Sequence, residues 1–156
     1  MRITLRLTRN CNKWSTNSQS SEIQNLPNKF PGFKVLLVED NPLNQKVVLH
    51  ILKHLDCESD VASNGKEALA LLQEKTFDLV LMDVSLPDMS GIEITEVYRK
   101  NEAEAKHLPI VALTAHAHQE EEKRCKKAGM DDFLVKPVFP EKLREVFHRF
   151  RRVPEV

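Results

Sequence analysis

The sequence predicts an α/β fold in which a parallel β-sheet is covered by helices on both faces. Two observations support this prediction: after Phe33, short apolar runs alternate with amphipathic stretches, and three of the runs are apolar at every position. Continuous apolar runs are typical of strands buried on both faces, because a strand with one wet face alternates apolar and polar residues. The three runs are residues 35–38, 79–82 and 110–113.

Five β-α units account for the chain after Phe33. The strands are expected at residues 34–38, 58–62, 78–82, 109–113 and 132–135. The helices between them show apolar residues at intervals of three and four, as in the stripe Val47, Val48, Ile51, Leu52 and Leu55. Helix ends are marked by Pro42, by Asn64 with Glu67 as a capping box, and by Gly129.

The fourth helix, predicted over residues 117–128, differs from the others in its expected burial. Its apolar side chains are limited to Ala117, Cys125 and Ala128. Acidic residues fill its early turns and basic residues its late turns, which complements the helix dipole. A helix that is stable by itself but weakly buried is a candidate for a moving part.

The 156 residues allow one ordinary domain together with a linker or tail. Residues 10–28 consist mainly of Asn, Ser, Gln and Lys, which bury too little apolar area to offset their ordering entropy. Before them, residues 2–8 alternate as a strand does. We therefore expect a linker over residues 1–30, a folded domain over residues 31–153 and a tail over residues 154–156.

Bulk composition argues against several classes of function. Residues 31–156 have 18 basic and 22 acidic residues, and this mildly acidic balance argues against nucleic acid as a direct partner of the predicted domain. The three cysteines are widely spaced and lack the close pairs of metal or redox motifs, as is typical of an intracellular protein. No run approaches the roughly 18 apolar residues that cross a membrane. We therefore expect a cytoplasmic chain that makes no membrane contact.

Polar residues that follow the predicted strands are expected to meet at one edge of the sheet. They are Glu39, Asp40, Asp83, Thr114 and Lys136. In an open parallel sheet the carboxyl ends of the strands border one crevice, and ligands bind there. Three carboxylates in one place repel each other unless a cation joins them. The pattern therefore predicts a cation-binding site.

The expected cation is Mg²⁺, with Mn²⁺ as a substitute. Mg²⁺ prefers oxygen ligands and usually takes one or two carboxylates together with water and phosphate oxygens. We expect Asp40 and Asp83 to bind the ion directly. The backbone carbonyl of Ser85 would be a third ligand, and Glu39 would act through water.

The same edge of the sheet predicts phosphoryl chemistry at Asp83. Aspartate forms acyl phosphates, and a metal ion neutralises charge on the incoming phosphoryl group. Lys136 is expected to contact one phosphoryl oxygen. Thr114 would contact another after its loop moves inward, and Phe133 would fill the space that Thr114 leaves. Because a proline after a catalytic lysine can hold the loop in a cis geometry, the bond to Pro137 is a candidate cis bond.

Four separated segments resemble the signature segments of response-regulator receiver domains in two-component signalling. They are residues 38–44, 81–91, 113–117 and 133–137. The resemblance covers about residues 33–151 and implies a flavodoxin-like, doubly wound sheet of five parallel strands in the order 2-1-3-4-5 with five helices. It also implies Mg²⁺-dependent phosphorylation by a phosphohistidine and a cis bond before Pro137. The implied phosphoryl-binding and switch residues are Thr114, Ala115, Phe133 and Lys136.

The segments around Asn44 and His116 resemble the receivers of hybrid sensor histidine kinases. Such receivers take phosphate from a histidine kinase domain and relay it to a histidine phosphotransfer protein, and these are the expected partners. Residues 2–7 resemble the final strand of a kinase ATP-binding domain. We therefore expect no enzymatic activity from the chain by itself, and a parent histidine kinase anchored in the inner or plasma membrane.

Two other functions compete with this interpretation. A haloacid-dehalogenase-like phosphatase also uses an aspartate nucleophile and magnesium, but it needs a second aspartate two positions later, where this chain has Ser85. A receiver that only binds proteins would lack an acidic residue or the lysine, and none is missing. The pair His116 and His118 is expected to diverge on a helix, so a surface position or a supporting role beside a site is expected rather than a metal site.

Overall fold

Five strands and five helices alternate along the residues that the computed structural model describes, which are residues 28–103 and 106–151. The strands are β1 (Lys34–Val38), β2 (Glu58–Ala62), β3 (Leu79–Asp83), β4 (Ile110–Thr114) and β5 (Asp132–Val135). The helices are α1 (Pro42–His54), α2 (Gly65–Glu74), α3 (Gly91–Asn101), α4 (Gln119–Ala128) and α5 (Pro140–Phe150). No helix in this part of the chain is long and apolar enough to cross a membrane.

The observed strands agree with the predicted ones except that β3 and β4 lie one residue further along the chain. Asp83 pairs with Leu113, and Thr114 pairs with Val135, so both polar residues belong to the sheet. Backbone pairing continues for one residue after the apolar run ends, and the apolar pattern alone does not show this. Both polar residues are therefore positioned by strand pairing rather than by a loop.

All strand pairs of the sheet are parallel, and the strand order is β2-β1-β3-β4-β5. This order confirms the predicted doubly wound, flavodoxin-like fold. The chain passes from β1 to β2 on one side and then crosses to β3 on the other side of β1. Because the connections after β1 and β3 diverge, a crevice opens beyond the carboxyl ends of these two strands.

The sheet separates two hydrophobic cores. One core lies between the sheet and the helices α1 and α5, and the other lies between the sheet and α2, α3 and α4. Neighbouring residues of a strand point to opposite faces, so Val35 and Leu37 enter the first core while Leu36 and Val38 enter the second. Burial on both faces explains why the central strands are apolar at every position.

Local hydrogen bonds and backbone angles make the helices begin and end close to the predicted positions. Pro42 begins α1, and Gly129 follows α4 with a left-handed φ of 108°. The side chain of Asn64 accepts from the N–H of Glu67 at 2.9 Å. The Glu67 carboxylate accepts in return from the N–H of Ser63, at 2.8 Å. In the predicted capping box Glu67 would accept from the N–H of Asn64, and the observed donor is instead the residue before it.

The start of α3 packs directly against the end of β3. An added Cβ at Gly91 would lie 2.3 Å from the carbonyl oxygen of Asp83, so only glycine fits this approach. The N–H of Gly91 donates to the carbonyl of Val84 at 2.9 Å. Ser90 and Glu93 form a capping box at the same helix start. Helix α3 thereby fixes the backbone on which Asp83 lies.

Helix α4 is anchored by few buried side chains, as predicted. Two of its ten residues, Cys125 and Ala128, are buried, and the ten-residue helix α2 has the same number of buried residues. The helix begins at Gln119, two residues later than predicted, because His118 before it is extended. The side chain of His118 makes no capping hydrogen bond. The first turn of α4 therefore lacks both a side-chain cap and a buried apolar anchor.

The folded part of the chain begins earlier than the predicted boundary at residue 31. Phe30 is fully buried, and its ring packs edge-on against Phe147 with centroids 5.4 Å apart. Its N–H donates to the carbonyl of Leu55 at 2.7 Å. A single aromatic residue after a polar stretch has no periodicity, so the sequence pattern did not identify it. Residues 1–27 of the predicted linker, and the predicted tail, lie outside the described residues.

Phe30→Ala is predicted to lower the free energy of unfolding by about 3–5 kcal/mol, the usual cost of removing a buried phenylalanine ring. Phe139→Ala is the matched control, because its ring is 56% exposed and a change within about 0.5 kcal/mol is expected. Urea unfolding of the full chain measures both values. Equal effects of the two substitutions would place the start of the packed domain after Phe30.

Candidate functional site

Three carboxylates, which we call the acidic triplet, lie together at the carboxyl edge of the sheet. Glu39 and Asp40 directly follow β1, and Asp83 is the last residue of the neighbouring strand β3. One carboxylate oxygen of each residue lies within 4.8 Å of those of the other two. Glu39 is 1% exposed and Asp83 is 3% exposed, whereas Asp40 is open to solvent. The structure thus brings together the acids that the sequence places after two separate strands.

Lys136 is the cation that the two buried carboxylates share. Its Nζ lies 3.0 Å from Glu39 Oε2 and 3.0 Å from Asp83 Oδ2. Burial by itself would lower the pKa of Lys136, but its hydrogen bonds to Asp83 and Glu39 and the attraction of their charges together outweigh burial and raise the pKa above the ordinary value. The ammonium group is therefore charged at neutral pH and offsets part of the acidic charge.

Each buried carboxylate also accepts one backbone hydrogen bond. The N–H of Asn41 donates to Glu39 Oε1 at 3.1 Å, and the N–H of Ser85 donates to Asp83 Oδ1 at 3.0 Å. Each of the four carboxylate oxygens thus has one partner and retains a further lone pair. Ser85 is exposed and lies two residues after Asp83, in the loop that borders the crevice.

The charges of the site fit a divalent cation. Three carboxylates and one ammonium group leave two negative charges without compensation. All the acidic ligands are hard oxygen donors, and exposed Asp40 gives a hydrated ion a route to the site. Mg²⁺ and Mn²⁺ suit such a ligand set, whereas Zn²⁺ usually takes histidine and cysteine ligands.

Thr114 ends β4 beside the strand of Asp83, but its hydroxyl is directed to a different part of the structure. Oγ1 lies 2.9 Å from the carbonyl oxygen of His116 and is also hydrogen-bonded to the Glu121 carboxylate on α4. The N–H of His116 donates to the same Oγ1 at 3.2 Å. Because Thr114 is buried, the hydroxyl finds these partners within the protein.

The remaining predicted residues lie around Thr114. Phe133 in β5 is half-buried, packs against the core beneath α2, α3 and α4, and lines a narrow crevice together with Thr114. Ala115 is the exposed residue that follows β4. The Lys136–Pro137 peptide bond is cis. The N–H of Lys136 donates to the carbonyl of Thr114 at 2.8 Å, which ties the lysine loop to the end of β4.

Gln45 supports the acidic triplet, and no sequence pattern indicated it. Its side-chain amide donates to the carbonyl of Glu39 at 2.6 Å and to Ser63 Oγ at 3.1 Å. Gln45 therefore joins the loop after β1 to the loop after β2. The partners are six and eighteen residues away in the chain, so periodicity and spacing contain no trace of the contact.

Asp88 is a second supporting residue that the sequence did not reveal. Its carboxylate accepts from the N–H of Gly65 at 2.8 Å and from the N–H of Lys66 at 3.1 Å, at the start of α2. Backbone hydrogen bonds, above all the one from Gly65, lower the pKa of Asp88. The bonds anchor the loop after Asp83, which also carries Ser85, to a neighbouring helix.

The two histidines beyond β4 are not members of the acidic triplet. His116 and His118 are both exposed, and their ring centroids are 5.4 Å apart. Within residues 28–103 and 106–151, the acidic triplet is the one group of His, Cys, Asp or Glu side chains spaced to hold a metal ion. Both positions are exposed as expected, but the predicted divergence on a helix is wrong, because both histidines precede α4 and their rings lie close together.

The chain resembles proteins of one family in both sequence and structure. A sequence model of the response regulator receiver domain matches residues 35–148. The sensor protein GacS of Pseudomonas syringae pv. syringae is 44% identical over 115 residues, which make up 72% of this chain and 13% of GacS.

Solved structures with the same fold include receivers from bacteria and yeast. The receiver domain of the sensor histidine kinase PA1611 from Pseudomonas aeruginosa PAO1, which has a magnesium ion coordinated in its active-site cleft, is 35% identical with a TM-score of 0.70. The match covers 76% of this chain and 97% of that one. A co-crystal structure of the Saccharomyces cerevisiae histidine phosphotransfer protein Ypd1 and the Ssk1 receiver domain gives 32% identity and a TM-score of 0.71. That match covers 78% of this chain and 90% of the other.

The family assignment rests on sequence and fold together. The family match begins in β1 and ends in α5, so it includes all five strands and the whole site. The chain spans 13% of the length of GacS, and its similarity to that sensor protein concerns this one segment. The chain belongs to the response regulator receiver domain family of two-component signalling.

Proposed function

We propose that this receiver domain accepts a phosphoryl group on Asp83 from a phosphohistidine, in a reaction that needs Mg²⁺. The main support is the acidic triplet, whose oxygens lie within 4.8 Å of one another, with Lys136 Nζ 3.0 Å from two of its members. The relative PA1611 has a magnesium ion in the active-site cleft of its receiver, which supports the choice of ion. Mn²⁺ would serve as a substitute.

The proposed transfer exchanges one bond to phosphorus for another. A carboxylate oxygen of Asp83 bonds to phosphorus while the phosphorus–nitrogen bond of the donor breaks, and the leaving imidazole keeps the electron pair and takes up a proton. Lys136 stays protonated and donates to a phosphoryl oxygen. Asp40, Asp83 and the Ser85 carbonyl would hold Mg²⁺, with Glu39 acting through water. When bound, the ion supplies positive charge that offsets the charge of the phosphoryl oxygens.

Phosphorylation is proposed to change the conformation around Thr114. The Thr114 hydroxyl turns to a phosphoryl oxygen, Ala115 follows it as part of the phosphoryl-binding loop, and Phe133 fills the space that is left. Hydrogen bonds to charged groups contribute about 1.5–3 kcal/mol each. Moving a two-state equilibrium from 1:99 to 99:1 takes about 5.5 kcal/mol. Two or three new contacts to the phosphoryl group therefore suffice for a switch.

Exposed apolar side chains beside the site are suited to a protein partner. Leu43 is 69% exposed and Phe139 is 56% exposed, and Val47 is also exposed. Leu43 and Val47 lie one helical turn apart on α1, which follows the first two acids, and Phe139 lies three residues after Lys136. We call these three apolar residues the docking patch. A histidine phosphotransfer protein or kinase domain would cover it, and the Ssk1 receiver was crystallised with such a protein.

The proposed parent is a hybrid sensor histidine kinase, anchored in the inner or plasma membrane with the receiver in the cytoplasm. This proposal is supported by GacS, a sensor protein, and by hybrid histidine kinases of Dictyostelium discoideum that match over most of this chain. Kinase activity would belong to other parts of the parent. The chain described here acts as a phosphoacceptor and not as an enzyme by itself.

Incubation with acetyl phosphate and Mg²⁺ is predicted to add one phosphoryl group to the chain, and Asp83→Asn to abolish the addition. The asparagine side chain is nearly the same size but is not nucleophilic. Intact-mass spectrometry measures the added mass, and hydroxylamine should remove it because acyl phosphates react with amines. Asp78→Asn is the control, since Asp78 lies before β3 at the other end of the strand. Addition that persists in Asp83→Asn or without a divalent ion contradicts the assignment.

Lys136→Ala is predicted to separate metal binding from phosphorylation. Removing a positive charge that lies 3.0 Å from two carboxylates should tighten Mg²⁺ binding by roughly tenfold. Phosphorylation by acetyl phosphate should slow by about 100-fold, because a donor to the phosphoryl group is lost. Calorimetric titration and a rate assay measure the two effects, with Lys142→Ala as an exposed control on α5. Weaker Mg²⁺ binding in Lys136→Ala would refute the proposed charge balance.

Combined substitution of Leu43→Ala and Phe139→Ala is predicted to slow phosphotransfer from a histidine phosphotransfer protein by at least about tenfold, since a few residues carry most of the binding energy of an interface. The rate with acetyl phosphate should not change. Val97→Ala is the control, because Val97 is exposed on α3, on the opposite face of the sheet. The donor should be one that transfers to the unaltered chain. A loss with both donors would place the effect in the site and not in docking.

A further inference from the structure

Glu121, on the first turn of α4, has a contact that the proposed function does not explain. Its carboxylate is hydrogen-bonded to Thr114 Oγ1, the hydroxyl that would turn to the phosphoryl group. Glu121 is partly buried, whereas its neighbour Glu120 is exposed. Both residues are in the first turn of the helix, where acidic side chains suit the helix dipole. The dipole therefore accounts for an acid in this turn but not for its contact with Thr114.

The hydroxyl of Thr114 has a single proton to donate. In the structure its acceptors are the Glu121 carboxylate and the His116 carbonyl. A hydrogen bond to a carboxylate is about twice as strong as one to a neutral acceptor, so Glu121 is the stronger of the two. A phosphoryl oxygen on Asp83 is also only an acceptor. Donation to Glu121 and donation to the phosphoryl group therefore exclude each other.

The same contact joins the start of α4 to the end of β4. The first turn of α4 contains no buried side chain, and His118 provides no side-chain cap. The buried residues of the helix, Cys125 and Ala128, lie in its second half. Release of Glu121 from Thr114 would therefore loosen the first turn of α4 while the second half stays packed.

We infer that Glu121 is a positioning residue that holds the Thr114 hydroxyl toward α4 in the unphosphorylated protein and so opposes the switch. This inference rests on the proposed function, because it assumes that Thr114 serves a phosphoryl group on Asp83. The phosphoryl group on Asp83 and the Glu121 carboxylate compete for the proton of the Thr114 hydroxyl. When the hydroxyl donates to the phosphoryl group, the first turn of α4 is released, and the chemical change at the end of β3 becomes a structural change at the surface.

The test is a titration of the Mg²⁺-loaded chain with beryllium fluoride, which adds to a carboxylate as a mimic of the phosphoryl group, followed by NMR. Glu121→Ala should bind about tenfold more tightly than the unaltered chain, the effect of one charged hydrogen bond at the lower end of its range. Glu121→Gln retains an acceptor but loses the charge, and should give a smaller gain. Glu120→Ala removes an equivalent helix-dipole charge and should bind as the unaltered chain does.

Amide hydrogen exchange provides a second measurement on the same variants. Without beryllium fluoride, Glu121→Ala should show faster exchange in residues 119–122 than either the unaltered chain or Glu120→Ala. The unaltered chain should show the same increase once beryllium fluoride is bound. These changes are expected with the rest of α4 still protected, which separates release of the first turn from unfolding of the helix.

The outcomes distinguish this inference from the function on which it rests. If the unaltered chain binds beryllium fluoride with Mg²⁺ and Asp83→Asn does not, the proposed acceptor site stands. Unchanged or weaker binding in Glu121→Ala would then overturn the role of Glu121 alone. If the unaltered chain does not bind, or Asp83→Asn binds equally well, the proposed function fails and the inference fails with it.

Discussion

The pairing of Lys136 with two buried carboxylates is the interaction on which the rest of the site depends. Glu39 and Asp83 are almost fully buried, and a buried carboxylate is costly unless a cation and hydrogen bonds compensate it. Lys136 Nζ lies 3.0 Å from both, and one backbone N–H reaches each. One negative charge is left over by this pairing and two once exposed Asp40 is included, and a divalent ion would offset them and so allow a phosphoryl group to approach.

The fold holds this charge arrangement in place because apolar strands surround it. β1, β3 and β4 are buried on both faces, so the backbone at their carboxyl ends is held firmly where the polar residues begin. Gly91 lets α3 approach the carbonyl of Asp83, and Asp88 ties the following loop to the start of α2. A rigid carboxylate geometry is what metal binding and in-line phosphoryl transfer require. Gln45 supports the neighbouring loop in the same way.

The part of the protein that is proposed to move, the first turn of α4, is weakly buried. The first turn of α4 has no buried side chain, and its link to the sheet includes a hydrogen bond from Thr114 to Glu121. Regions with few buried apolar contacts open at low free-energy cost. A site built from stable strands can therefore act on a loosely held helix through one hydroxyl group. The family relationship gives the general function, and this contact suggests how this chain adjusts it.

The sequence by itself determined the α/β class, because burial on both faces produces continuous apolar runs. It also determined the set of residues at the strand ends, because parallel strands end at a common edge. The strand order followed from the family resemblance. Tertiary structure alone decided the place of Phe30 in the core and the contacts of Gln45, Asp88 and Glu121. Those contacts join residues from different loops and helices. Their geometry depends on how the elements pack, and neither periodicity nor local spacing records it.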